Sequence, residues 1–318
     1  MHNLFPLLAL ILSLAGTRLL IDHLKRKQIY DHPNERSNHT LPTPRGGGLI
    51  ISLILALFAP FCGIPWYIMI GIAALAGISF LDDLRGLRVC TRLFVQCIVV
   101  SFSVIMLPHH LSLFQGWMPL ILDRLVTIIA WLWFINLTNF MDGIDGITCM
   151  ETISIAAGVL LLALIFGLPL TNYSLVIIAT ALGFLLYNWH PAKIFMGDVG
   201  SIPLGFVLGW LLIKIAGQDH LAPALIIPGY YLADSTITIT RRLLSGKKIW
   251  EAHSEHFYQQ AVRSGMPHDK VVLKIAKFNV CLIFLAVLSA FSASFTWLAV
   301  IAAIVLIGVL LKQLASPV

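Results

Sequence analysis

The sequence contains few charged residues. Of its 318 residues, 11% are charged and 58% are hydrophobic, and the mean hydropathy is +0.90. Soluble globular domains carry roughly 25% charged residues. The composition therefore excludes that class and indicates a protein that crosses a membrane several times.

Other features that the sequence lacks exclude further classes of protein and site. The five cysteines are odd in number and scattered on apolar segments, which indicates small core hydrophobes and excludes a disulfide framework or a zinc knuckle. No internal repeat or P-loop signature occurs, so ATP is not the expected donor. The first apolar run lacks a basic n-region and continues into Arg18 and Asp22, unlike a cleaved signal peptide. We therefore expect one integral-membrane domain over 1–318.

Long apolar runs dominate the chain. A helix needs roughly 20 apolar residues to cross the hydrocarbon, and about eleven segments approach this length. The candidate spans are 3–24, 46–62, 66–81, 93–108, 121–138, 150–168, 172–188, 201–217, 221–240, 273–291 and 294–313. The ninth contains Pro228, so a neighbouring helix must cover the backbone groups that this proline frees. The sequence predicts an all-α polytopic membrane protein.

Basic residues predict the orientation. They concentrate in the loops after the odd-numbered spans: Lys25, Arg26, Lys27, Arg36, Arg45, Arg85, Arg88, Arg92, Lys193, Arg241, Arg242, Lys247, Lys248, Arg263, Lys270, Lys274 and Lys277. The opposite side has only Arg124 and Lys214. Because basic loops stay in the cytoplasm, the N-terminus is predicted outside and the polar loops inside. The alternative for most of these charges is topology and attraction to anionic headgroups alone.

Carboxylates follow three of the inward-going spans. Asp82 and Asp83 follow the third span, Asp142 and Asp145 the fifth, and Asp198 the seventh. Carboxylates near membrane depth are costly and usually face a cavity with a partner. Three such clusters on one face predict an active site on the cytoplasmic side.

The adjacent carboxylates of Asp82 and Asp83 raise each other's pKa unless a cation intervenes. A metal, a lysine or another bound cationic group could supply that charge. One acid could instead stay protonated, or Arg85 could simply pair with the two.

Two further motifs contain acids beside glycines. In the run 139–146 the i, i+3 spacing puts Asp142 and Asp145 on one face if the segment is helical. A cap or turn is the alternative. In the run 195–201, Asp198 lies between two glycines, and oxygen ligands of this kind favour Mg²⁺ or Mn²⁺ over zinc.

Two loops add possible ligand-binding groups. His253 and His256, three residues apart, share a face if helical and lie among eight basic residues that favour a diphosphate-bearing substrate. Capped surface histidines are the alternative. Loop 31–48 ends in Gly46, Gly47 and Gly48, which permit either close helix packing or an anion nest.

Together these groups favour phosphoryl transfer onto a lipid acceptor. A proton-coupled transporter would place its acids at mid-bilayer within a repeated architecture. A scaffolding protein would leave the motif around Asp198 unexplained.

The motifs as a set resemble the polyprenyl-phosphate N-acetylhexosamine-1-phosphate transferase superfamily, glycosyltransferase family 4. The resemblance rests on Asp82-Asp83, the runs 139–146 and 188–201, Asp234 with Arg241-Arg242, and the His253/His256 loop. It implies transfer of a sugar-1-phosphate from a UDP-sugar to undecaprenyl phosphate with release of UMP, at the bacterial inner membrane. It implies Mg²⁺, or Mn²⁺, on Asp198.

The resemblance also implies residue roles. Asp82, Asp83 and Asp198 match catalytic positions, and the expected substrate-binding residues are Asn139, Asp142, Asp145, Asn188, Lys193, His253, His256 and Arg45. The expected partners are the UDP-sugar, undecaprenyl phosphate and the bilayer. No nucleic acid is expected, and a homodimer stays open.

Departures from the family guide the expected sugar. The consecutive histidines of the peptidoglycan translocase and the His-x-His-His of common-antigen enzymes are absent from 253–259. The loop with Arg36 and 42–48 looks more like O-antigen initiators that act on 6-deoxy-N-acetylhexosamines. We therefore expect an N-acetylhexosamine, with N-acetylfucosamine and N-acetylquinovosamine as the candidate 6-deoxy sugars, for O-antigen or capsule synthesis. The UDP-MurNAc-pentapeptide translocase is the alternative.

Overall fold

The computed structural model describes residues 4–31, 33, 41–109, 111–248, 250 and 253–316. Arg36 lies outside these residues. The described part forms a helical bundle with one small two-stranded antiparallel sheet. Its elements are α1 (Phe5–Lys27), β1 (Tyr30–Asp31), β2 (Thr43–Pro44), α2 (Gly48–Phe58), α3 (Trp66–Arg85), α4 (Val89–Ile105), α5 (Leu120–Phe140), α6 (Ile147–Phe166), α7 (Thr171–Asn188), α8 (Asp198–Ala216), α9 (Leu221–Ile226), α10 (Gly229–Leu244), α11 (Phe257–Arg263), α12 (His268–Ser289) and α13 (Ala293–Ala315).

The prediction of an all-α polytopic membrane protein is confirmed. Among the described residues, eight helices are long and apolar enough to cross a membrane, and α2 and α4 are shorter apolar helices. Large apolar side chains on the outer faces of α1, α5 and α13 are exposed, as a lipid-facing surface requires. The orientation of the chain ends stays a prediction.

The ninth predicted span is not one helix. It breaks after Ile226 into the short α9 and the amphipathic α10, because Pro228 lacks the N–H that a continuous helix needs. The break packs on α6, where a Cβ added to Gly158 would lie 3.0 Å from the Ile227 side chain. The sequence correctly located the proline but wrongly predicted a continuous span.

Helix α8 is the centre of the bundle. In an apolar stretch of 18 residues in α8, 94% of the residues are buried, whereas the corresponding stretches of α1 and α13 are each 22% buried. Small residues allow this, since a Cβ on Gly205 would lie 2.9 Å from Cα of Ile135 and one on Gly209 only 2.6 Å from Trp131. Trp131 also donates a 2.9 Å hydrogen bond to the Phe206 carbonyl. A rigid, central helix therefore begins at Asp198.

The three consecutive glycines pack against the segment before α8. The Gly47 and Gly48 amides donate to the Phe195 and Met196 carbonyls at 2.9 Å each. A Cβ on Gly48 would lie 2.2 Å from Cα of Gly200. Of the two alternatives, close packing is therefore the one observed, and these two amides do not form an anion nest.

The five cysteines form no disulfide. Cys149 is buried, but Cys90, Cys97 and Cys281 are exposed on helix surfaces. The prediction that they are core residues is wrong for these three, because apolar sequence surroundings here face outward from the bundle.

Candidate active site

A polar cavity of about 250 Å³ opens where the ends of α5, α7, α8 and α12 meet. It is lined by Asp31, Arg45, Asn139, Asp142, Gly143, Ile144, Asp145, Asn188, Phe195, Met196, Gly197, Asp198, Gln259 and His268. Six predicted site residues are in this lining: Arg45, Asn139, Asp142, Asp145, Asn188 and Asp198. The structure thus brings residues more than 150 positions apart in the sequence to one site.

One side of the site is an ion-pair network that we call the arginine cluster: Asp82, Asp83, Asp198, Arg45 and Arg92. Arg45 Nη2 lies 3.0 Å from Asp83 Oδ1 and 3.2 Å from Asp198 Oδ1. Arg92 Nη1 lies 2.6 Å from Asp82 Oδ2 and 2.8 Å from Asp198 Oδ2. Asp198 therefore accepts from both guanidinium groups.

The predicted need for a cation beside Asp82 and Asp83 is met by Arg45 and Arg92, whereas Arg85 is exposed. Burial favours the neutral form of Arg45, but Asp83 and Asp198 outweigh it and raise its pKa above the ordinary value. Arg45 therefore stays charged.

Arg92 was missed as a site residue, because it was assigned only to topology. It lies in the first turn of α4, and no sequence spacing ties it to Asp82.

The arginine cluster fits a hard divalent cation. Its carboxylates supply only oxygen ligands, the donor type that Mg²⁺ prefers. Asp83 Oδ2 is buried and accepts no hydrogen bond from any described residue. Asp83 and Asp198 are the residues placed to hold such a cation, which when bound would neutralise phosphate charge.

A second set of groups, the imidazole cluster, comprises Asp145, His190 and His268. Asp145 Oδ2 lies 2.6 Å from Nδ1 of His190 and 3.3 Å from Nδ1 of His268, and it accepts a 3.2 Å bond from the Ala192 amide. Burial opposes ionisation, but the hydrogen bonds from both histidines hold the Asp145 pKa below its ordinary value.

The ligand atoms of the imidazole cluster lie within 4.8 Å of one another, close enough for a metal ion. Sequence analysis missed both histidines. His190 stands inside the recognised run 188–201, but His268 carries no sequence signal that links it to Asp145.

The segment with Asp142 and Asp145 is a turn, so the prediction that a helix face aligns the two acids is wrong. A side chain at Gly143 would collide with Tyr258, whose Oη would lie 2.1 Å from the added Cβ. The turn therefore fits closely under α11. Burial raises the pKa of Asp142 to about 7, despite a hydrogen bond from Thr148 that lowers it.

The two predicted asparagines hold the walls of the cavity together. Asn188 accepts a 3.0 Å bond from the Gly146 amide and donates a 2.9 Å bond to the Ile194 carbonyl. Asn139 donates to Ser201 Oγ at 2.9 Å. Asn188 thus connects the turn to the loop before α8, which is a structural task.

Five predicted residues lie outside the cavity lining: Asp82 and Asp83, which belong to the arginine cluster, and Lys193, His253 and His256. The Lys193 side chain is exposed. The predicted shared helix face of His253 and His256 is wrong, because α11 begins only at Phe257. His256 is buried and meets Asp234 Oδ1 at 3.0 Å. Burial, with His256 and Arg242 nearby, lowers the pKa of His253 to about 4.

Asp234 is a structural acid. It is fully buried and accepts hydrogen bonds from the amides of Phe257 and Tyr258 at 3.1 and 3.3 Å and from Tyr230 Oη at 3.0 Å. It therefore caps α11, which in turn covers the cavity.

A second opening, the apolar groove, runs between α4, α5, α8 and α10 and has a volume of about 440 Å³. It is lined by Val89, Arg92, Leu93, Gln96, Ile129, Leu132, Trp133, Asn136, Asn139, Phe140, Ile202, Ile239 and Trp250. Its lining shares Arg92 with the arginine cluster and Asn139 with the polar cavity. An apolar surface therefore leads directly to the charged site.

Comparison with known proteins places these features in a wider group. A sequence model described as glycosyl transferase family 4 matches residues 65–216, which include the carboxylates of both clusters. The chain is 31% identical over 295 residues to a probable undecaprenyl-phosphate N-acetylglucosaminyl 1-phosphate transferase of Bacillus subtilis, covering 84% of this chain and 80% of that protein. It is 28% identical over 317 residues to a decaprenyl-phosphate N-acetylglucosaminephosphotransferase of Mycobacterium leprae, covering 86% and 79%.

Proposed function

Because this chain belongs to glycosyl transferase family 4, we propose that it transfers an N-acetylhexosamine-1-phosphate from a UDP-sugar to undecaprenyl phosphate and releases UMP. The observation that carries the proposal is the position of the arginine cluster, between a polar cavity and an apolar groove. The cavity suits the water-soluble donor, and the groove suits the isoprenoid chain of the acceptor.

The proposed reaction exchanges one diphosphate linkage for another. An oxygen of the lipid phosphate attacks the β-phosphorus of the donor, the bond from that phosphorus to the bridging oxygen breaks, and UMP leaves. The free energy of such an exchange is close to zero, so catalysis depends on positioning and charge neutralisation.

The lipid phosphate is expected at Arg92. This guanidinium lines the apolar groove and is held by Asp82 and Asp198, so it is already oriented at the head of the groove. Asp82, 2.6 Å from Arg92, is placed to accept any proton that remains on that phosphate.

The net charge of the arginine cluster supports the binding of a divalent cation, Mg²⁺ or Mn²⁺, at Asp198 and Asp83. Three carboxylates and two guanidinium groups leave the arginine cluster with one net negative charge, which repels a diphosphate. A divalent cation reverses that sign. The composition of the cluster thus supports the proposed metal requirement.

The sugar and the pathway belong to the same proposal. The names of the two relatives support N-acetylglucosamine, whereas the loop pattern at 42–48 favours a 6-deoxy-N-acetylhexosamine. We place the reaction on the cytoplasmic face of a bacterial inner membrane, at the start of O-antigen or another envelope polysaccharide.

The test uses the purified protein, undecaprenyl phosphate and a panel of UDP-sugars: UDP-N-acetylglucosamine, UDP-N-acetylfucosamine, UDP-N-acetylquinovosamine and UDP-MurNAc-pentapeptide. We expect UMP release with one of the first three, dependent on both lipid phosphate and Mg²⁺. Turnover of UDP-MurNAc-pentapeptide alone would replace the proposal with the translocase. No lipid-dependent UMP release from any donor would refute it.

A further inference from the structure

We propose that the imidazole cluster binds an uncharged, hydrogen-bonding part of the donor, and that His268 contacts the donor through Nε2. The inference rests on the proposed function and adds a specific contact to it. The residue that makes this contact was not among the site residues predicted from the sequence. The uncharged part is either the nucleoside or the sugar, since both carry hydroxyl or imide groups.

The orientation of His268 carries the argument. This histidine begins α12, is 6% exposed and lines the polar cavity. Its Nδ1 faces Asp145, at 3.3 Å from Oδ2. Its Nε2 therefore lies on the opposite edge of the ring, and no described residue forms a hydrogen bond with that atom.

Both histidines are hydrogen-bonded to Asp145: Nδ1 of His190 to Oδ2, and Nδ1 of His268 to the backbone amide, from which it accepts at 3.4 Å. The separation of 2.6 Å between Asp145 Oδ2 and His190 Nδ1 is a charge-assisted hydrogen-bond length. Two ligands bound to one metal ion at about 2.0–2.2 Å in tetrahedral geometry would stand farther apart. The Ala192 amide also donates to the same oxygen. The cluster is thus organised to hold the carboxylate and the two imidazole rings in place.

Charge decides which part of the donor this cluster can face. The lowered pKa of Asp145 keeps its carboxylate ionised, and an ionised carboxylate repels phosphate. Arg45 and Arg92 give the arginine cluster permanent positive charges, and the proposed divalent cation makes the net charge of that cluster positive, so the cluster then attracts phosphate. Since Asp145 and Arg45 line the same cavity, a donor bound there places its diphosphate at Arg45 and an uncharged part at His268.

Two substitutions distinguish a direct contact between His268 and the donor from a role in which His268 only supports Asp145. The amide of His268→Gln reaches the position of Nε2, whereas the amide of His268→Asn occupies that of Nδ1. We expect His268→Asn to raise KM for the UDP-sugar about tenfold with kcat within about threefold, and His268→Gln to stay within about threefold of the wild-type KM.

Inhibition by UMP distinguishes the two sources of the uncharged group. A parallel rise of the UMP inhibition constant in His268→Asn assigns the contact to the nucleoside. An unchanged constant assigns it to the sugar. Either result supports the proposal.

The matched control is His220→Asn, at the opposite end of α8 from the cavity, for which we expect wild-type KM. A wild-type KM in His268→Asn together with a raised KM in His268→Gln would show that His268 only supports Asp145. An unchanged KM in both variants would also overturn the inference. Equilibrium binding of the UDP-sugar is measured alongside turnover. An active wild-type enzyme with unaffected variants overturns only this inference, whereas a wild-type protein that neither binds nor turns over any UDP-sugar overturns both proposals.

Discussion

The arginine cluster and the imidazole cluster each contribute two residues to the lining of one cavity but stabilise their carboxylates differently. In the first, guanidinium groups bridge three acids, and arginine stays protonated at any working pH. In the second, two imidazole rings converge on one acid. The first arrangement supplies permanent positive charge, and the second supplies oriented hydrogen-bonding groups around a negative charge. One cavity therefore offers distinct environments to the charged and the uncharged parts of a ligand.

Asp234 is a buried, hydrogen-bonded carboxylate that belongs to neither cluster. All of its described partners belong to its own helix or to the start of α11, and it does not line the cavity. Burial and partners alone therefore do not mark a site, and access to the cavity is the additional criterion.

The largest effect is expected in the arginine cluster. Asp198→Asn removes the charge that binds both arginines and would hold the proposed cation, and we expect kcat to fall by two or more orders of magnitude, about 3 kcal/mol in activation free energy. UMP release measures it. The control is Asp219→Asn, the same chemical change beyond the far end of α8. Near wild-type turnover in Asp198→Asn would remove this residue from the mechanism.

A smaller effect is expected where the arginine cluster meets the apolar groove. Arg92→Met keeps the bulk of the aliphatic part of the side chain but removes the charged guanidinium, and we expect KM for undecaprenyl phosphate to rise about tenfold or more while KM for the UDP-sugar changes less. The exposed Arg88→Met is the control. An equal rise in both KM values would mean that Arg92 does not distinguish the two substrates.

Among the described residues, neither an arginine nor a histidine forms a hydrogen bond with Asp142, and the raised pKa of Asp142 makes its contribution to stability depend on pH. Because its folded-state pKa of about 7 exceeds the ordinary value, the folded protein loses stability as pH rises through 7 and this group ionises. We expect Asp142→Asn to raise the melting temperature by a few degrees at pH 8 and by less at pH 5.5, where the folded protein still holds the proton. Thermal unfolding in detergent measures this difference, and an equal shift at both values would contradict it.

The smallest effect is expected at His253. With its pKa lowered to about 4, this ring is neutral at working pH, and it lies outside the cavity lining. His253→Asn should therefore leave kcat and KM for the UDP-sugar within about twofold. A tenfold loss in kcat/KM would show that the loop around His253 moves onto the substrate during turnover.

Local patterns in the sequence were sufficient to predict the class of protein. Apolar runs of bilayer length predicted the helices, because hydrophobicity over about twenty residues depends on neighbours in the chain. Carboxylates at the ends of spans, above all Asp198 between glycines, identified residues that do line the cavity. Pro228 marked the break between α9 and α10, although only the structure showed that the span divides there.

Contacts between distant segments decided the rest. Arg45 and Asp198 are 153 residues apart, and their pairing depends on the close approach of Gly48 and Gly200. Asp145 and His268 meet only because α12 packs on α6. The sequence by itself determined a membrane-embedded helical protein with acids at its helix ends, since these properties are local. Only the tertiary structure decided which cation or imidazole each acid meets, because helix packing sets those distances.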